Sequence, residues 1–292
     1  MSPDLTPTQH ALLAWSERTR RDLPWRRTRD PWSILVSELM LQQTQVARVL
    51  PKYAAFLEQF PTVVECAAAP AGDVVRLWAG LGYNRRALHL HAAARCCVER
   101  HGGVLPSTLG ELLALPGVGP YTARAVLAFA HDAVVGVLDT NAARVLARLG
   151  GRQLGAAAAQ SAADAAVPTG RGWAWNQAML DLGATVCTKR VVRCDVCPLV
   201  AHCSWHLAGH PAPDPADGSA GTSGRQSTFE GSDRQGRGRL VDALRRAPVA
   251  DCDLATVMGW PEDPLRGERV IRTLLADGLI ERTSGGEWTL PS

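Results

Sequence analysis

The chain has 292 residues, of which 46% are apolar, 20% are charged and 5% are aromatic. These proportions support a buried core, and they exclude a disordered chain, a collagen-like chain and a small disulfide-stabilised domain. No segment reaches the ~18 consecutive apolar residues that a membrane helix needs. Residues 1–9 carry neither a basic cluster nor an apolar run, so they do not resemble a signal peptide. We therefore expect a soluble protein of the cytoplasm.

The net charge of +3 is unevenly distributed along the chain. Residues 1–206 contain 21 Lys and Arg against 15 Asp and Glu, a balance of +6, whereas residues 207–292 contain 10 against 13, a balance of −3. A modest positive excess of this kind is compatible with binding to nucleic acid. The only lysines are Lys52 and Lys189, which limits where an amine nucleophile can lie.

The first two thirds of the chain read as helices separated by prolines. Residues 5–20 have the pattern of an amphipathic helix, and Pro31 is suited to the first position of the next helix. The Ala-rich segments 87–98 and 142–149 also favour helix. No regular alternation of apolar and polar residues spans residues 1–186, so this part is predicted to be all-α.

The last third divides into a linker and a small unit. Residues 207–228 are rich in Pro, Gly, Ser, Ala and Asp, a composition typical of a flexible linker. Residues 229–292 have the pattern of three helices followed by a β-hairpin, which predicts a winged-helix-like α+β unit. The alternative is a minor packing domain.

Eight cysteines are present, and four of them lie within 17 residues in the pattern Cys187-x6-Cys194-x2-Cys197-x5-Cys203. A cytoplasmic chain is not expected to pair its cysteines in disulfides. Four thiolates this close can bind one metal centre. Zinc ligands usually come as two well-separated pairs, whereas a single compact loop suits an iron–sulfur cluster, so a cluster is favoured and zinc remains the alternative.

A glycine-rich segment, Leu-Pro-Gly-Val-Gly-Pro-Tyr-Thr-Ala, occupies residues 115–123 within a predicted helical hairpin over residues 111–130. Two glycines spaced by one residue permit a tight link between helices. The backbone N–H groups of Gly117, Val118 and Gly119 are then available to a phosphate at the start of the second helix. The alternative is a plain turn between helices.

The hairpin, the downstream Asp139 and the four-cysteine loop together resemble the helix-hairpin-helix DNA glycosylases that carry one [4Fe–4S] cluster, over residues 5–206. Four segments resemble the MutY family of adenine glycosylases in particular: Trp25-Arg26, residues 37–44 (Ser-Glu-Leu-Met-Leu-Gln-Gln-Thr), residues 80–83 (Gly-Leu-Gly-Tyr) and residues 175–178 (Trp-Asn-Gln-Ala). The resemblance implies a two-lobed all-α catalytic domain over residues 1–206, with an iron–sulfur loop at 187–203.

The resemblance also implies an activity, the hydrolysis of the N-glycosidic bond of adenine mispaired with 8-oxoguanine or guanine in double-stranded DNA. Such an enzyme of base excision repair acts as a monomer in the cytoplasm, associated with the nucleoid. Enzymes of this family usually carry a Nudix-like C-terminal domain that reads 8-oxoguanine, but residues 229–292 are too few for one. We therefore expect that deleting residues 212–292 leaves adenine release largely intact.

Adenine release requires a protonated base and a stabilised sugar cation, tasks that two carboxyl groups can divide. Glu38 has apolar neighbours one turn before and after it, so burial is expected to raise its pKa. By resemblance it protonates N7 of adenine. Asp139 precedes the helix 142–149, where capping is one role and where the helix dipole is expected to keep it ionised. By resemblance Asp139 stabilises the cation or bonds to C1′ of the sugar, and Asn141 assists.

Tyr121 distinguishes this chain from endonuclease III-like enzymes, which carry a Lys at the matching hairpin position and form a Schiff base. The resemblance therefore implies a monofunctional glycosylase. It also implies that Gln43 and Tyr83 intercalate when adenine is flipped out, and that Asp181 is an acidic residue behind the site. The remaining DNA contacts that we expect are those of the opposite base with Leu41 and Gln42, of the adenine pocket with Trp25 and Arg26, and of phosphates with Lys189, Arg190 and Arg193.

Three alternatives remain open at this point. A thymine glycosylase acting on T·G mispairs and an endonuclease III-like glycosylase both share the hairpin and the cluster. A non-catalytic DNA-damage-binding protein on the same scaffold is the third. Binding alone has no need of both Glu38 and Asp139, which favours an enzyme.

Overall fold

The computed structural model describes residues 5–219 and 228–292. The chain divides into two compact units. The first consists of Met1–Ile34, Ser107–Leu113 and Gly119–Arg225, and the second of Leu35–Pro106, Ala114–Val118 and Gln226–Ser292. Each unit is therefore assembled from segments that are distant in sequence.

Helices dominate both units, as the sequence predicts. The α-helices are α1 (Pro7–Thr19), α2 (Pro31–Leu41), α3 (Val46–Gln59), α4 (Val63–Ala68), α5 (Ala71–Leu77), α6 (Arg85–His101), α7 (Leu109–Leu113), α8 (Pro120–His131), α9 (Thr140–Leu149), α10 (Ala156–Ala166), α11 (Gly172–Thr185), α12 (Ser204–Leu207), α13 (Asp233–Leu244), α14 (Leu254–Met258) and α15 (Pro264–Ala276). Short 3-10 turns occupy Pro24–Arg26, Cys194–Val196, Val200–His202 and Asp251–Asp253. The strands are β1 (Glu281–Arg282) and β2 (Trp288–Thr289).

The first unit begins with a well-capped helix. Thr6 and Gln9 form a capping box, in which Gln9 N donates to Thr6 Oγ1 (3.3 Å) and Thr6 N donates to Gln9 Oε1 (2.9 Å). Helix α1 then packs on α11, and its fully buried Leu12 joins a core shared with α9 and α11. The main members of that core are Leu12, Val145, Trp175, Met179 and Leu182.

Helix α2 begins at Pro31, which confirms the predicted start. Every residue from Ile34 to Met40 is buried, including the polar Ser37 and Glu38. Burial therefore extends around the helix over these residues and does not follow a single apolar face. The one carboxyl group in this helix, that of Glu38, is shielded from water.

Residues 214–219 of the predicted linker are packed within the first unit. Asp214 pairs with Arg148 at 2.6 Å, and Leu154 N donates to Ser219 Oγ at 3.1 Å. Ala216 and Ser219 are both buried. Residues 214–219 therefore differ from the flexible linker that the composition predicts, because a long-range ion pair fixes a segment whose local sequence favours turns. Residues 207–213 and 228 are exposed, and residues 220–227 of the predicted linker lie outside the described residues.

Residues 229–292 fold as the sequence predicts, with three helices followed by a hairpin. Glu281 pairs with Thr289 and Arg282 with Trp288 in the antiparallel β1–β2 pair. Val249, between α13 and α14, forms a further bridge with Trp288, so the order of elements is that of a winged helix. The fold class is confirmed. None of the helices within residues 5–219 and 228–292 has the length and apolar content to span a bilayer.

Candidate active site and metal centre

Two carboxyl groups carry the predicted chemistry, and they belong to different units. Glu38 lies in the second unit, in α2, and only 4% of it is exposed. Asp139 lies in the first unit at the N-cap of α9, where it is partly buried. Each is placed by a helix, which gives its carboxyl group a defined direction.

Asp139 is held by three hydrogen bonds. Its Oδ1 accepts from the backbone N–H groups of Asn141 (2.8 Å) and Ala142 (2.7 Å), and its Oδ2 accepts from Asn141 Nδ2 (2.8 Å). The predicted capping role is confirmed. Asn141 lies directly against Asp139, so the structure brings these two predicted residues together.

Opposing effects act on the pKa of Asp139. Burial raises the pKa of Asp139, although the hydrogen bonds from Ala142 and Asn141 and the charge of Arg144 act to lower it. Desolvation of the carboxylate thus outweighs the hydrogen bonds and the charge of Arg144 in setting the direction of this shift. The role of Asp139 as an ionised group in the reaction stays a prediction.

Arg144 connects Asp139 and Asn141 to the cysteine loop. Its Nη2 donates to Asn141 Oδ1 (2.8 Å) and to Gly183 O (2.6 Å), and its Nε donates to Cys187 O (2.8 Å). Sequence reasoning missed Arg144. The available signal was the presence of two arginines, Arg144 and Arg148, in an Ala-rich helix whose other residues are mostly buried.

The four predicted metal ligands line one pocket. The backbone between these cysteines forms an antiparallel bridge between Cys187 and Val192 and two 3-10 turns, Cys194–Val196 and Val200–His202. Burial raises the pKa of the Cys197 thiol to about 11, so a metal must displace its proton to bind it. A pocket with four soft sulfur donors fits a single metal centre, and iron–sulfur clusters take this donor set.

Three further side chains surround these thiols. Arg148 Nη1 donates to Cys187 Sγ at 3.3 Å, and His210 Nε2 lies 3.6 Å from Cys194 Sγ and 3.2 Å from His206 Nδ1. Their spacing in the sequence does not link them to the cysteines, because Arg148 comes from α9 and the two histidines follow Cys203. Arg148 is also the residue that anchors Asp214.

The predicted cations of the loop all face solvent. Lys189, Arg190 and Arg193 are exposed. A turn in which Thr188 Oγ1 donates to Val191 O (2.6 Å) orders the segment between the first two cysteines. The loop therefore presents its positive charge outward, as phosphate contacts require.

Arg26, which follows Trp25 in a short 3-10 turn, pairs with Asp181. Trp25 is buried, and Arg26 donates from Nη1 and Nη2 to the two oxygens of Asp181 at 2.7 and 2.9 Å. Arg21 Nε also donates to Asp181, at 2.6 Å. Burial by itself raises the pKa of Asp181, but the bonds from Arg26 and both positive charges lower it overall. Arg26 is therefore a buried partner of Asp181 and not an exposed cation.

The two predicted intercalating residues share an unusual backbone. Gln43 has φ 57° and Tyr83 has φ 45°, the left-handed region that non-glycine residues rarely adopt. Tyr83 is also 48% exposed, which is unusual for an aromatic side chain. Leu41 ends α2 and Gln42 follows it, both partly exposed.

Arg86, a buried arginine that sequence reasoning missed, forms hydrogen bonds with the backbone around both Gln43 and Tyr83. The guanidinium of Arg86 donates to seven acceptors on the end of α2, on the loop that follows it and on the Tyr83 loop. They are Leu39 O, Met40 O, Gln42 O, Thr44 Oγ1, Leu81 O, Gly82 O and Tyr83 O. Burial lowers the pKa of Arg86 to about 10, so it stays charged at neutral pH.

The glycine-rich turn departs from the prediction at one residue. Gly117 has φ 74°, and a Cβ there would lie 2.4 Å from His89 Cβ, so the position requires glycine. Gly119 is the N-cap of α8 and Tyr121 lies in the first turn of that helix. Val118 N, however, donates to Leu115 O (3.2 Å), so this N–H closes the turn and does not serve a phosphate as predicted.

Comparison with known proteins defines the class first. Residues 36–166 match the HhH-GPD superfamily base excision DNA repair proteins. A solved thermostable thymine-DNA glycosylase is 30% identical with a TM-score of 0.64, over 68% of this chain and 94% of that one. An endonuclease III trapped as a covalent DNA intermediate is 22% identical with a TM-score of 0.59, over 71% of this chain and 100% of that one, and shares the fold. The chain belongs to this superfamily, whose enzymes are DNA glycosylases.

Within the superfamily the curated relatives are adenine DNA glycosylases. The protein of Mycolicibacterium smegmatis is 44% identical over 96% of this chain and 94% of its own length, and that of Mycobacterium tuberculosis is 43% identical over 99% and 96%. The human enzyme is 40% identical over 68% of this chain and 39% of its own length. The chain therefore belongs to the adenine DNA glycosylase family, which confirms the predicted family and enzyme class.

Proposed function

We propose that this enzyme hydrolyses the N-glycosidic bond of adenine mispaired with 8-oxoguanine or guanine in double-stranded DNA, and that it acts as a monomer. The observation that carries the proposal is the burial of Glu38, which is 4% exposed, within a stretch of α2 that is buried from Ile34 to Met40. Leaving adenine needs a proton, and removal of a carboxyl group from water disfavours its charged form. Thymine release gives no comparable reason for a buried acid at this position.

Asp139 takes the complementary role. In its ionised form it stabilises the positive charge that develops on the sugar, or bonds to C1′. Three hydrogen bonds fix the carboxylate before the reaction begins, so no reorganisation is needed when the charge appears. Asn141 contributes two of the three donors and is in turn held by Arg144.

The proposed reaction stops at hydrolysis. The hairpin position that carries an amine in the Schiff-base enzymes holds Tyr121, and the two lysines lie in α3 and in the cysteine loop. Borohydride reduction of an enzyme–DNA mixture is therefore expected to trap little covalent complex. Capture of most of the enzyme on DNA would contradict a monofunctional glycosylase.

Flipping of adenine leaves a gap in the duplex, which Gln43 and Tyr83 are proposed to fill. Their left-handed backbone costs about 1–3 kcal/mol each and persists only where the surroundings hold it. Arg86 supplies that support through the carbonyl groups next to both residues. Leu41 and Gln42 are proposed to contact the opposite base, and Trp25 and Arg26 the adenine pocket.

DNA backbone contacts are proposed at two places. The N–H groups of Gly117 and Gly119 lie at the start of α8, where a phosphate is favoured. The exposed Lys189, Arg190 and Arg193 provide positive charge on the cysteine loop.

The four cysteines are proposed to hold one [4Fe–4S] cluster, with zinc as the alternative. When bound, such a cluster crosslinks the loop at four points and thereby fixes its cations. Cys197→Ser is expected to lower iron and labile sulfide in the purified protein, whereas Cys252→Ser, at an exposed cysteine outside the loop, leaves both unchanged. Zinc without sulfide in the wild-type protein would refute the cluster.

Single-turnover base release from a panel of duplexes tests the function. The duplexes carry A opposite 8-oxoguanine, A opposite G, T opposite G, and A opposite T. Glu38→Gln is expected to abolish adenine release from the first two, while Glu99→Gln, at an exposed position of α6, leaves it unchanged. Release of thymine, or full activity of the Glu38 variant, would refute the proposal.

A further inference from the structure

The loop that carries Tyr83 consists of residues 78–84, between α5 and α6. Residues 229–292, the C-terminal unit, make contacts with the chain just before this loop and just after Tyr83. Before the loop, Gly72 N donates to Pro291 O at 2.7 Å, and Arg245 Nε donates to Val75 O at 3.1 Å. All of these contacts lie within the second unit of the chain. They attach residues 229–292 directly to helix α5.

After the loop, the same unit makes two more contacts. Arg245 Nη2 donates to Asn84 Oδ1 at 2.8 Å, and Arg85 Nη1 lies 3.3 Å from Asp277 Oδ1. Asn84 and Arg85 directly follow Tyr83 in the chain. One arginine, Arg245, therefore joins the two ends of the loop.

Arg245 is placed to make strong bonds. Its side chain is only 8% exposed, and its remaining guanidinium nitrogen pairs with Asp242 one turn earlier in α13. A charged donor that is shielded from water forms stronger hydrogen bonds than an exposed one. Neither acceptor, Val75 O or Asn84 Oδ1, belongs to the C-terminal unit, so these bonds have no role in folding that unit by itself.

The shape of the contact is equally specific. A Cβ at Gly72 would lie 2.6 Å from Pro291 O and 3.1 Å from Leu290 Cβ. The last residues of the chain thus lie on the backbone of α5, at a position where no side chain fits. Leu290 is itself buried in this contact.

The backbone conformation of the Tyr83 loop is unfavourable by itself and needs stabilising contacts from other segments. Gly80 and Gly82 have φ of 85° and 68°, and Tyr83 between them and α6 has φ 45°. Glycine-rich backbone loses much conformational entropy when it is ordered, and a left-handed tyrosine adds strain. Arg86 supports the loop from within the second unit, but its bonds reach the carbonyl groups of residues 81–83 and not the side chain of Asn84.

We propose that residues 229–292 act as a brace that holds the Tyr83 loop in the conformation that enters DNA, with Arg245 as its positioning residue. The proposal rests on the proposed function only in the role it gives to Tyr83. A loop ordered before binding does not lose that entropy in the complex, so bracing favours base flipping. The C-terminal unit would then serve DNA without contacting it, and deletion of residues 212–292 would impair adenine release, which revises the expectation from sequence.

Two readouts test the brace on the full-length holoenzyme. The first is amide hydrogen exchange at Arg86 and Ala87, whose N–H groups donate to Tyr83 O (2.9 Å) and Asn84 O (3.0 Å). The second is the fluorescence rise of 2-aminopurine flipped from a duplex. Arg245→Met and Asn84→Ala are each expected to speed exchange about tenfold and to slow flipping, since each removes the same charged hydrogen bond. Because Arg245→Met also removes the bond to Val75 O, the double variant is expected to do no more than Arg245→Met alone.

The matched control is Arg282→Met, which removes an ion pair with Asp251 inside the same unit without touching the loop. It is expected to leave both readouts unchanged, and Arg245→Lys is expected to recover part of the loss. Unchanged exchange in Arg245→Met, additive effects in the double variant, or an equal effect of the control would each overturn the brace. Wild-type enzyme that releases no adenine would refute the proposed function instead, because the exchange readout needs no DNA.

Discussion

Replacement of Asp139 by Asn separates the effect of this carboxylate on the stability of the fold from its effect on catalysis. The variant keeps a side-chain oxygen at the N-cap of α9, so the backbone N–H groups of Asn141 and Ala142 keep their acceptor. The negative charge is removed, and with it the anion that stabilises the sugar cation. We expect single-turnover adenine release to fall by a factor of about 10²–10³.

The stability of the same variant follows from the direction of the pKa shift. Burial raises the pKa of Asp139 above its unfolded value, so the ionised form destabilises the fold at neutral pH by about 1.4 kcal/mol for each unit of the rise. Against this, the new amide turns an N–H toward Asn141 Nδ2, and the bond lost there costs about 1 kcal/mol. Each kcal/mol corresponds to about 2 °C in Tm for a chain of this size.

The pH dependence gives the decisive measurement. A raised pKa stabilises the wild type below the unfolded pKa of about 3.9, and that contribution is lost as pH rises through the folded pKa. The free energy of unfolding, measured in urea, should therefore rise for Asp139→Asn relative to the wild type as pH increases from about 4 to 8. A difference between the two proteins that is constant, or that shrinks with rising pH, would refute the reasoning.

Three further predictions concern the second unit and the Asp139 site. Arg86→Met leaves buried carbonyl groups without a donor, so we expect the free energy of unfolding, measured in urea, to fall by about 3–5 kcal/mol. Arg95→Met, at an exposed arginine of the same helix, is expected to change it by less than about 0.5 kcal/mol. Equal effects of the two substitutions would contradict this. Asn141→Ala removes hydrogen bonding that holds the pKa of Asp139 down, so the acid limb of kcat/KM for adenine release should move to higher pH, and an unmoved limb would contradict the assignment. Ala is favoured over Gly in a helix by about 1 kcal/mol. We nevertheless expect Gly72→Ala to lower Tm, because the added Cβ would lie 2.6 Å from Pro291 O. A higher Tm would show that the C-terminal residues move to accommodate the Cβ.

The chemistry-bearing residues were accessible from the sequence because their signals are local. Four cysteines within 17 residues, a glycine-rich turn and an acid in an apolar helix are all patterns within one short segment. The helices at Pro31 and before Leu149, and the three helices and hairpin of the C-terminal unit, follow from the same short-range rules. Local signals thus identified the fold class and the candidate site.

The supporting residues were missed for the opposite reason. Arg86, Arg144, Arg148 and Arg245 have no spacing signal, and each acts on groups 39 to 170 positions away in the sequence. The cap of α9 at Asp139 is visible in the sequence, whereas the burial that raises the pKa of Asp139 depends on packing and is not.

The sequence by itself determined which residues this glycosylase has for its reaction, since proton transfer, metal binding and capping depend on residue type and short spacing. Only the tertiary structure decided how those residues are held. Buried arginines satisfy carbonyl groups from distant segments, the segment around Asp214 is fixed by Arg148, and the C-terminal unit lies against both ends of the Tyr83 loop. The physical reason is that desolvation and long-range hydrogen bonds depend on which surfaces meet, and that is settled only when the chain is packed.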